Sequence, residues 1–302
     1  GVHPSHAFTS VETSPEYADR PRLNVLKKAG VSRVSIGIQS FQDEELKAIK
    51  RRPRQNTIYQ ALDDIRQMDF PYFNIDLIYG IKGQTVESFL YSLEEALRFQ
   101  PNELFIYPLY VRQGTGITER EPDDVCFRMY RAACKLLQAK GFLQTSMRRF
   151  IHHPSTDAEV SCGDEVMLSC GSGGRSYLGD LHYATRYTVC QQCIAREIDE
   201  YMATTDFTVA RNGFILSAKE QQQRFIIKNL MYYMGIDKAE YTRRFGEPLD
   251  RTPLFRQLAE QYWIEETPER IRLTPEGLGY SDYIGQLFIT PEIRQLMETY
   301  SY

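Results

Sequence analysis

Apolar residues recur along the first half of the chain at two spacings, and the two alternate. In RVSIGI (Arg33–Ile38) the apolar positions Val34, Ile36 and Ile38 fall on every second residue, the period of a strand. In Thr85–Arg98 the positions Phe89, Leu93 and Leu97 fall four apart, which places them on one helix face. Read this way, strands are predicted at Ala7–Glu12, Arg33–Ile38, Tyr72–Gly80, Leu104–Tyr110 and Phe142–Phe150. Helices are predicted at Leu23–Ala29, Glu44–Lys50, Thr57–Met68, Thr85–Arg98 and Asp123–Lys140, with Gly30 and Gly141 as stops.

Strand–helix–strand units repeated in this order imply parallel strands joined by helical crossovers. The expected class is α/β, a (β/α) barrel or part of one, and a doubly wound sheet obeys a similar rule. In both, chemistry gathers at the C-terminal ends of the strands. Three polar residues stand at such positions in otherwise apolar runs: Glu12 before Pro15, Gln39 at the end of SIGIQSF, and Asp76 within NIDLIYG. Singly, each fits a hydrogen bond to a neighbouring loop. Together, on successive strands, they fit a polar ligand site.

The pattern changes near Thr156. Pro154–Asp164 reads as a polar loop, followed by the glycine cluster CGSGGRSYLGD (Cys170–Asp180). From Lys219 to Ile236 the spacing is that of an amphipathic helix, and the end reads as helix, short strand (Arg270–Leu273) and helix, similar to a winged helix. The expected division is 1–155 for the β/α part, 156–216 for a connecting region and 217–302 for a C-terminal helical, winged-helix-like cap domain.

Composition narrows the function classes. Of 302 residues 42% are hydrophobic and 25% charged, enough for a sizeable core. The net charge of −4 leaves no basic footprint for nucleic acid, and the winged-helix segment carries no basic stripe. No apolar run is long enough to span a membrane, and no signal peptide is visible at GVHPSHAF. Six cysteines in so long a chain argue against a disulfide framework, so a cytoplasmic location is expected. Cys126 and Cys134 read as buried side chains on a helix. Cys190 and Cys193 form a CxxC pair without a third cysteine at cluster spacing, so no metal site is assigned.

Arg51, in KAIKRRPR, follows Gln39 by twelve residues. It reads either as a solvated basic helix end or as a fork for a ligand carboxylate. The strings SIGIQSF, RR, NIDLIYGIKGQT and IYPLY, in this order, resemble the oxygen-independent coproporphyrinogen III oxidase family of radical S-adenosylmethionine (SAM) enzymes. The segments RFIIKNLMYYMGID and LTPEGLGYSDYIG resemble its C-terminal cap domain, and IYPLYVRQGTGI with CGSGGRSYLGDLHY resembles an uncharacterised bacterial branch.

The resemblance implies a partial radical SAM barrel in which Glu12, Gln39, Arg51 and Asp76 line the SAM site. It also implies that the Gly171–Gly174 turn, with Gly171 and Gly173, lies near SAM and substrate. That turn equally fits a tight bend needing positive φ. The family's cluster rests on a CxxxCxxC run, and this chain has none. The [4Fe–4S] cluster is therefore expected in a longer parent, its segment preceding Gly1, and this chain alone is expected to be inactive.

For the parent, the resemblance implies a radical SAM oxidoreductase that cleaves SAM reductively and abstracts hydrogen from an organic substrate such as a tetrapyrrole. A flavodoxin or ferredoxin would donate the electron, and Arg112, Arg148, Arg149 and Arg175 are candidates for substrate carboxylates. Two alternatives stand beside it: a radical SAM methyltransferase, and a heme-trafficking protein for which His182 and the cysteines are the candidate ligands.

Overall fold

A computed structural model describes residues 8–52, 54–112, 114–152, 166–185, 188, 191–209, 212–249 and 253–299. Backbone contacts divide the chain into two compact units, Gly1–Val111 with Ile117–Ala158, and Arg112–Gly116 with Glu159–Tyr302.

The first unit runs β1 (Ser10–Thr13), α1 (Arg20–Lys28), β2 (Arg33–Gln39), α2 (Asp43–Ala48), α3 (Gln55–Met68), β3 (Tyr72–Tyr79), α4 (Val86–Leu97), β4 (Glu103–Pro108), α5 (Asp123–Ala139), β5 (Leu143–Gln144) and β6 (Arg149–Ile151). The sheet order is β1-β2-β3-β4-β6-β5, and β1 to β4 are parallel and in sequence order. Sequential neighbours without a reversal are the arrangement of a β/α barrel rather than a doubly wound sheet. Local chemistry sets the helix starts: Asp19 accepts from Arg22 N–H at α1, and Thr85 and Ser88 form a capping box at α4.

The predicted strand Phe142–Phe150 is corrected. The chain turns at Thr145–Arg148 and returns, so β5 and β6 pair antiparallel, and β6 also runs antiparallel to β4. Thr145 N–H bonds the Arg149 carbonyl at 2.9 Å and closes that turn.

Each strand has one apolar and one polar side. Val34, Ile36, Ile75, Leu77, Leu104 and Ile106 are fully or almost fully buried in one cluster with Ile58, Leu62 and Ile65 of α3, Phe89 and Leu93 of α4, and Met129 and Leu137 of α5. Each such side chain stabilises the unit by about 1.5–3 kcal/mol. The opposite side carries Glu12, Ser35, Asn74 and Glu103 in register, and beside them Gly37, Asp76, Phe105 and Arg149.

The second unit begins with β7 (Val166–Met167), β8 (Arg175–Leu178), β9 (Leu181–Ala184), α6 (Gln191–Ala203) and β10 (Gly213–Ile215). The glycine cluster thus belongs to an antiparallel sheet of order β10-β9-β8-β7, which the sequence reading did not foresee. The segment Pro154–Asp164 lies outside the described residues. Next come α7 (Ala218–Leu230), β11 (Ile236–Asp237), α8 (Lys238–Phe245), α9 (Pro253–Glu260), β12 (Ile264–Glu266), β13 (Arg270–Leu273), α10 (Pro275–Gly279), α11 (Ser281–Leu287) and α12 (Pro291–Thr299).

Helix α7 starts at a capping box of Ser217 and Glu220 and stops at Leu230, short of the predicted Ile236. The β12–β13 hairpin with β11 gives the three-stranded wing of a winged-helix-like domain. It closes over its own core of Leu230, Ile236, Phe255, Ile271 and Ile284.

Candidate functional site

The polar side of the β1–β4 sheet is layered along the strand direction. At the N-terminal ends, Glu103 is buried between two arginines. Arg33 Nε donates to Glu103 Oε2 at 2.6 Å, Arg149 Nε donates to Oε1, and Arg33 Nη1 also reaches Ser10 Oγ at 2.9 Å. The Arg33 guanidinium lies 5.8 Å from the centre of the Phe105 ring. This group closes the sheet's polar side at its strand-start end. Arg149 is therefore engaged with Glu103, against the expectation that it meets substrate.

One layer further, Asn74 Nδ2 donates to Ser35 Oγ at 2.8 Å and to Asp76 Oδ1 at 2.6 Å, while Ser35 Oγ reaches Asp76 Oδ2 at 3.4 Å. Asp76 is half-buried, and burial pushes its carboxyl up to about 6. The donation from Asn74 and the charge of Arg33 pull the other way, and the negative charge of Glu12 adds to the rise. Tyr107 stacks on Phe105, with centroids 5.6 Å apart, and its hydroxyl is held far above its ordinary pKa by burial and by Asp76. Glu12 is exposed and, among the described residues, has no hydrogen-bond partner.

Gln39 ends β2 at φ 73°, in the left-handed region that side chains rarely adopt. Its amide folds back over Gly37, where a Cβ would come within 2.5 Å of Gln39 Nε2. Gly37 is in register with Asp76, so the conformation lays the glutamine amide on the same polar side. Gly80, just past β3, holds φ 82°, and a Cβ there would meet Cys126 Sγ at 2.6 Å. Gly80 and Cys126 thereby fix the close approach of α5 to the strand end.

Glu12, Gln39 and Asp76 thus share one side of the sheet, while Arg51 does not join them. It is exposed on the turn leaving α2, where its N–H returns to the Leu46 carbonyl at 2.8 Å, and among the described residues no ion pair joins it to the other three. Gly171 and Gly173 belong to the second unit, between β7 and β8, with φ 117° and 78°. The Gly171 N–H donates to Tyr201 Oη at 3.0 Å, so that donor is already engaged.

Sequence reasoning missed Ser35, Asn74, Glu103, Tyr107 and Arg33. Their signal was the period-two alternation that placed Asp76. Ser35 and Asn74 fall on the same phase of strands otherwise filled by Val, Ile and Leu.

Among the described residues, no cysteine belongs to this layer. Cys126 is buried, its thiol raised by burial, and it donates to the Glu121 carbonyl at 3.3 Å. Cys134 lies two turns along α5, pushed by burial to about 11. Cys170 and Cys193 lie in the second unit, and Cys162 and Cys190 fall outside the described residues. Among the described residues no three His, Cys, Asp or Glu side chains gather as a metal site. These residues do not fit an iron–sulfur cluster. A half-buried carboxylate beside a glutamine amide does fit a cationic, hydroxyl-bearing cofactor such as SAM.

Residues 3–96 match the model of the radical SAM superfamily, and residues 216–279 match the HemN C-terminal domain. The first of these segments is similar to the radical SAM superfamily. Members of that family use SAM and a [4Fe–4S] cluster. The chain is 26% identical over 295 residues to the heme chaperone HemW of Bacillus subtilis, covering 92% of this chain and 76% of that protein. It is 25% identical over 294 residues to an oxygen-independent coproporphyrinogen III oxidase of Thermostichus vulcanus, covering 90% of each. The solved structure of coproporphyrinogen III oxidase (HemN) from Escherichia coli superposes with a TM-score of 0.75 at 21% identity, over 95% of this chain and 70% of that one, which establishes the shared fold. No helix among the described residues is long and apolar enough to cross a membrane.

Proposed function

We propose that this chain is a radical SAM protein that binds SAM on the polar side of its parallel sheet, through Glu12, Gln39 and Asp76, as the SAM-holding part of an oxidoreductase that abstracts hydrogen from an organic substrate. One observation carries the reading. The Asp76 carboxylate is half-buried yet, among the described residues, accepts only from Asn74 and, at long range, Ser35. A half-buried carboxylate so sparsely bonded is costly, and a ligand cation offsets that cost. SAM carries a sulfonium and an ammonium group, together with ribose hydroxyls that suit Gln39 and Glu12. When bound it supplies the 5′-deoxyadenosyl group that the family's chemistry requires. No step through the cluster follows from the cysteines described above.

On the substrate side, Arg148 donates to Tyr110 Oη at 2.6 Å and lies 6.0 Å from the centre of the Tyr107 ring, at the C-terminal end of β4. This placement supports a substrate that is both apolar and anionic, consistent with a tetrapyrrole carboxylate. A flavodoxin or ferredoxin fits the need for a reductant. Equilibrium dialysis of labelled SAM against the chain tests the binding step. Product analysis of the reconstituted longer enzyme tests the reaction, because S-adenosylhomocysteine formed beside 5′-deoxyadenosine marks a methyltransferase instead.

Heme trafficking is a second reading, favoured by the similarity to HemW and by His182, whose Nε2 is buried and, among the described residues, has no hydrogen-bond partner. His182 stacks on Tyr177 at 4.3 Å and meets the edge of Phe214 at 5.2 Å, so ligation requires that stack to open. A Soret band on heme addition that disappears in His182→Ala supports it, and no band sinks it.

A further inference from the structure

The turn that carries Gln39 is held by a buried carboxylate. Glu45 on α2 is 5% exposed, yet among the described residues no cation pairs with it. Its Oε2 accepts from Ser40 Oγ at 2.6 Å and from Gln84 Nε2 at 2.9 Å, and its Oε1 accepts from Ser88 Oγ at 2.5 Å. Glu45 lies in the first turn of α2 and meets the first turn of α4, so two helix N-termini favour its negative charge.

Two of these donors fix strand ends, and the third fixes a helix start. Ser40 directly follows Gln39, and its Oγ also accepts from Gln42 N–H at 2.9 Å. Phe41 N–H is taken by Ser92 Oγ of α4 at 3.1 Å. Gln84 also donates to the Ile78 carbonyl of β3 and accepts from Ile81 N–H. Ser88 closes the capping box with Thr85. The turns after β2 and β3 therefore share one acceptor. A left-handed Gln39 persists only where its surroundings over-determine it, and Glu45 supplies that constraint on its C-terminal side.

We propose that Glu45 is a positioning residue for the SAM site: through Ser40 it holds Gln39 left-handed, with its amide over Gly37. The proposal rests on the SAM reading above, and it also makes a claim about the free protein.

The test is a double-variant cycle in SAM affinity, with hydrogen exchange of the unliganded chain beside it. Glu45→Ala should weaken SAM binding about tenfold, as does Gln39→Ala, and the double variant should be no weaker than Gln39→Ala alone, within about twofold. Glu45→Gln should keep affinity within about threefold, because its amide can donate to Ser88 Oγ while its oxygen accepts from Ser40 and Gln84. Leu62→Ala in the core should lower the melting temperature without changing affinity. In the free protein, Glu45→Ala should speed amide exchange at Phe41 and Gln42 at least about tenfold and leave β4 unchanged.

Additive losses in the cycle, or unchanged exchange at Phe41 and Gln42, overturn the proposal. If the unsubstituted chain binds no SAM, the functional reading fails, and the exchange result alone decides whether Glu45 holds the turn.

Discussion

Asn74 and Asp76 lie two residues apart on the same side of β3, and the Asn74 amide donates to Asp76 Oδ1 at 2.6 Å. The pair sets a half-buried carboxyl whose pKa is pushed up to about 6, with burial as the largest cause. A carboxyl raised in the folded state opposes folding once it ionises. The penalty is absent below its unfolded pKa near 4, grows between there and about 6, and is complete above. Asp76→Asn keeps an acceptor for Asn74 and removes the charge. It should stabilise the ligand-free chain by about 1–3 kcal/mol at pH 8, with the gain vanishing near pH 4. Urea unfolding at both pH values measures this, and a destabilised variant at pH 8 contradicts it.

The same carboxyl makes SAM binding depend on pH. A cationic ligand is attracted by ionised Asp76 and not by the protonated acid, so affinity should decline as pH falls through about 6. Asp76→Asn should bind SAM at least about tenfold more weakly at pH 8 and lose the pH dependence. Titrations at pH 5, 6 and 8 give the comparison. A variant that keeps the slope places the titrating group elsewhere.

Below Asp76, Glu103 neutralises two half-buried arginines, Arg33 and Arg149. Removing one member of such a group strands the others. Glu103→Ala should cost about 3–5 kcal/mol in urea unfolding. The SAM affinity of the folded fraction should change by less than about threefold, since Glu103 lies at the strand starts. A loss under about 1 kcal/mol would mean that the two arginines find water instead.

Much of the β/α unit was legible in the sequence because its strands and helices keep their periods. Val34, Ile36 and Ile38 alternate, and Phe89 and Leu93 fall four apart, and all five are buried. The β5–β6 reversal was hidden because FLQTSMRRF has apolar residues at both ends and no Gly, Pro or Asn to mark its turn. Glu12, Gln39 and Asp76 could be read because each breaks an apolar run at a strand end. Glu45 could not, because an acidic residue in the first turn of a helix is usually a solvated cap, and its burial arises from contacts with residues about 40 positions away. Arg51 matched in sequence order, which says nothing of where a long side chain goes.

In the second unit, burial and the charges of Arg175 and Arg224 lower the pKa of His182 below its ordinary value. Here the unfolded state takes up the proton first. The stability this histidine provides is complete above about pH 6.5 and falls as pH drops below it. His182→Gln should lose less stability than the unsubstituted chain between pH 8 and pH 5.5, as read from melting temperatures. Equal losses in both proteins would show that His182 does not carry the dependence.

The account stands on SAM binding by the polar side of the sheet. Isothermal titration of SAM into this chain at pH 8, repeated with Asp76→Ala and Glu12→Ala, tests it most directly. The account predicts one SAM per chain, weakened at least about tenfold by each substitution while the folded content is unchanged. Binding that both substitutions leave intact, or no binding to the unsubstituted chain, contradicts it.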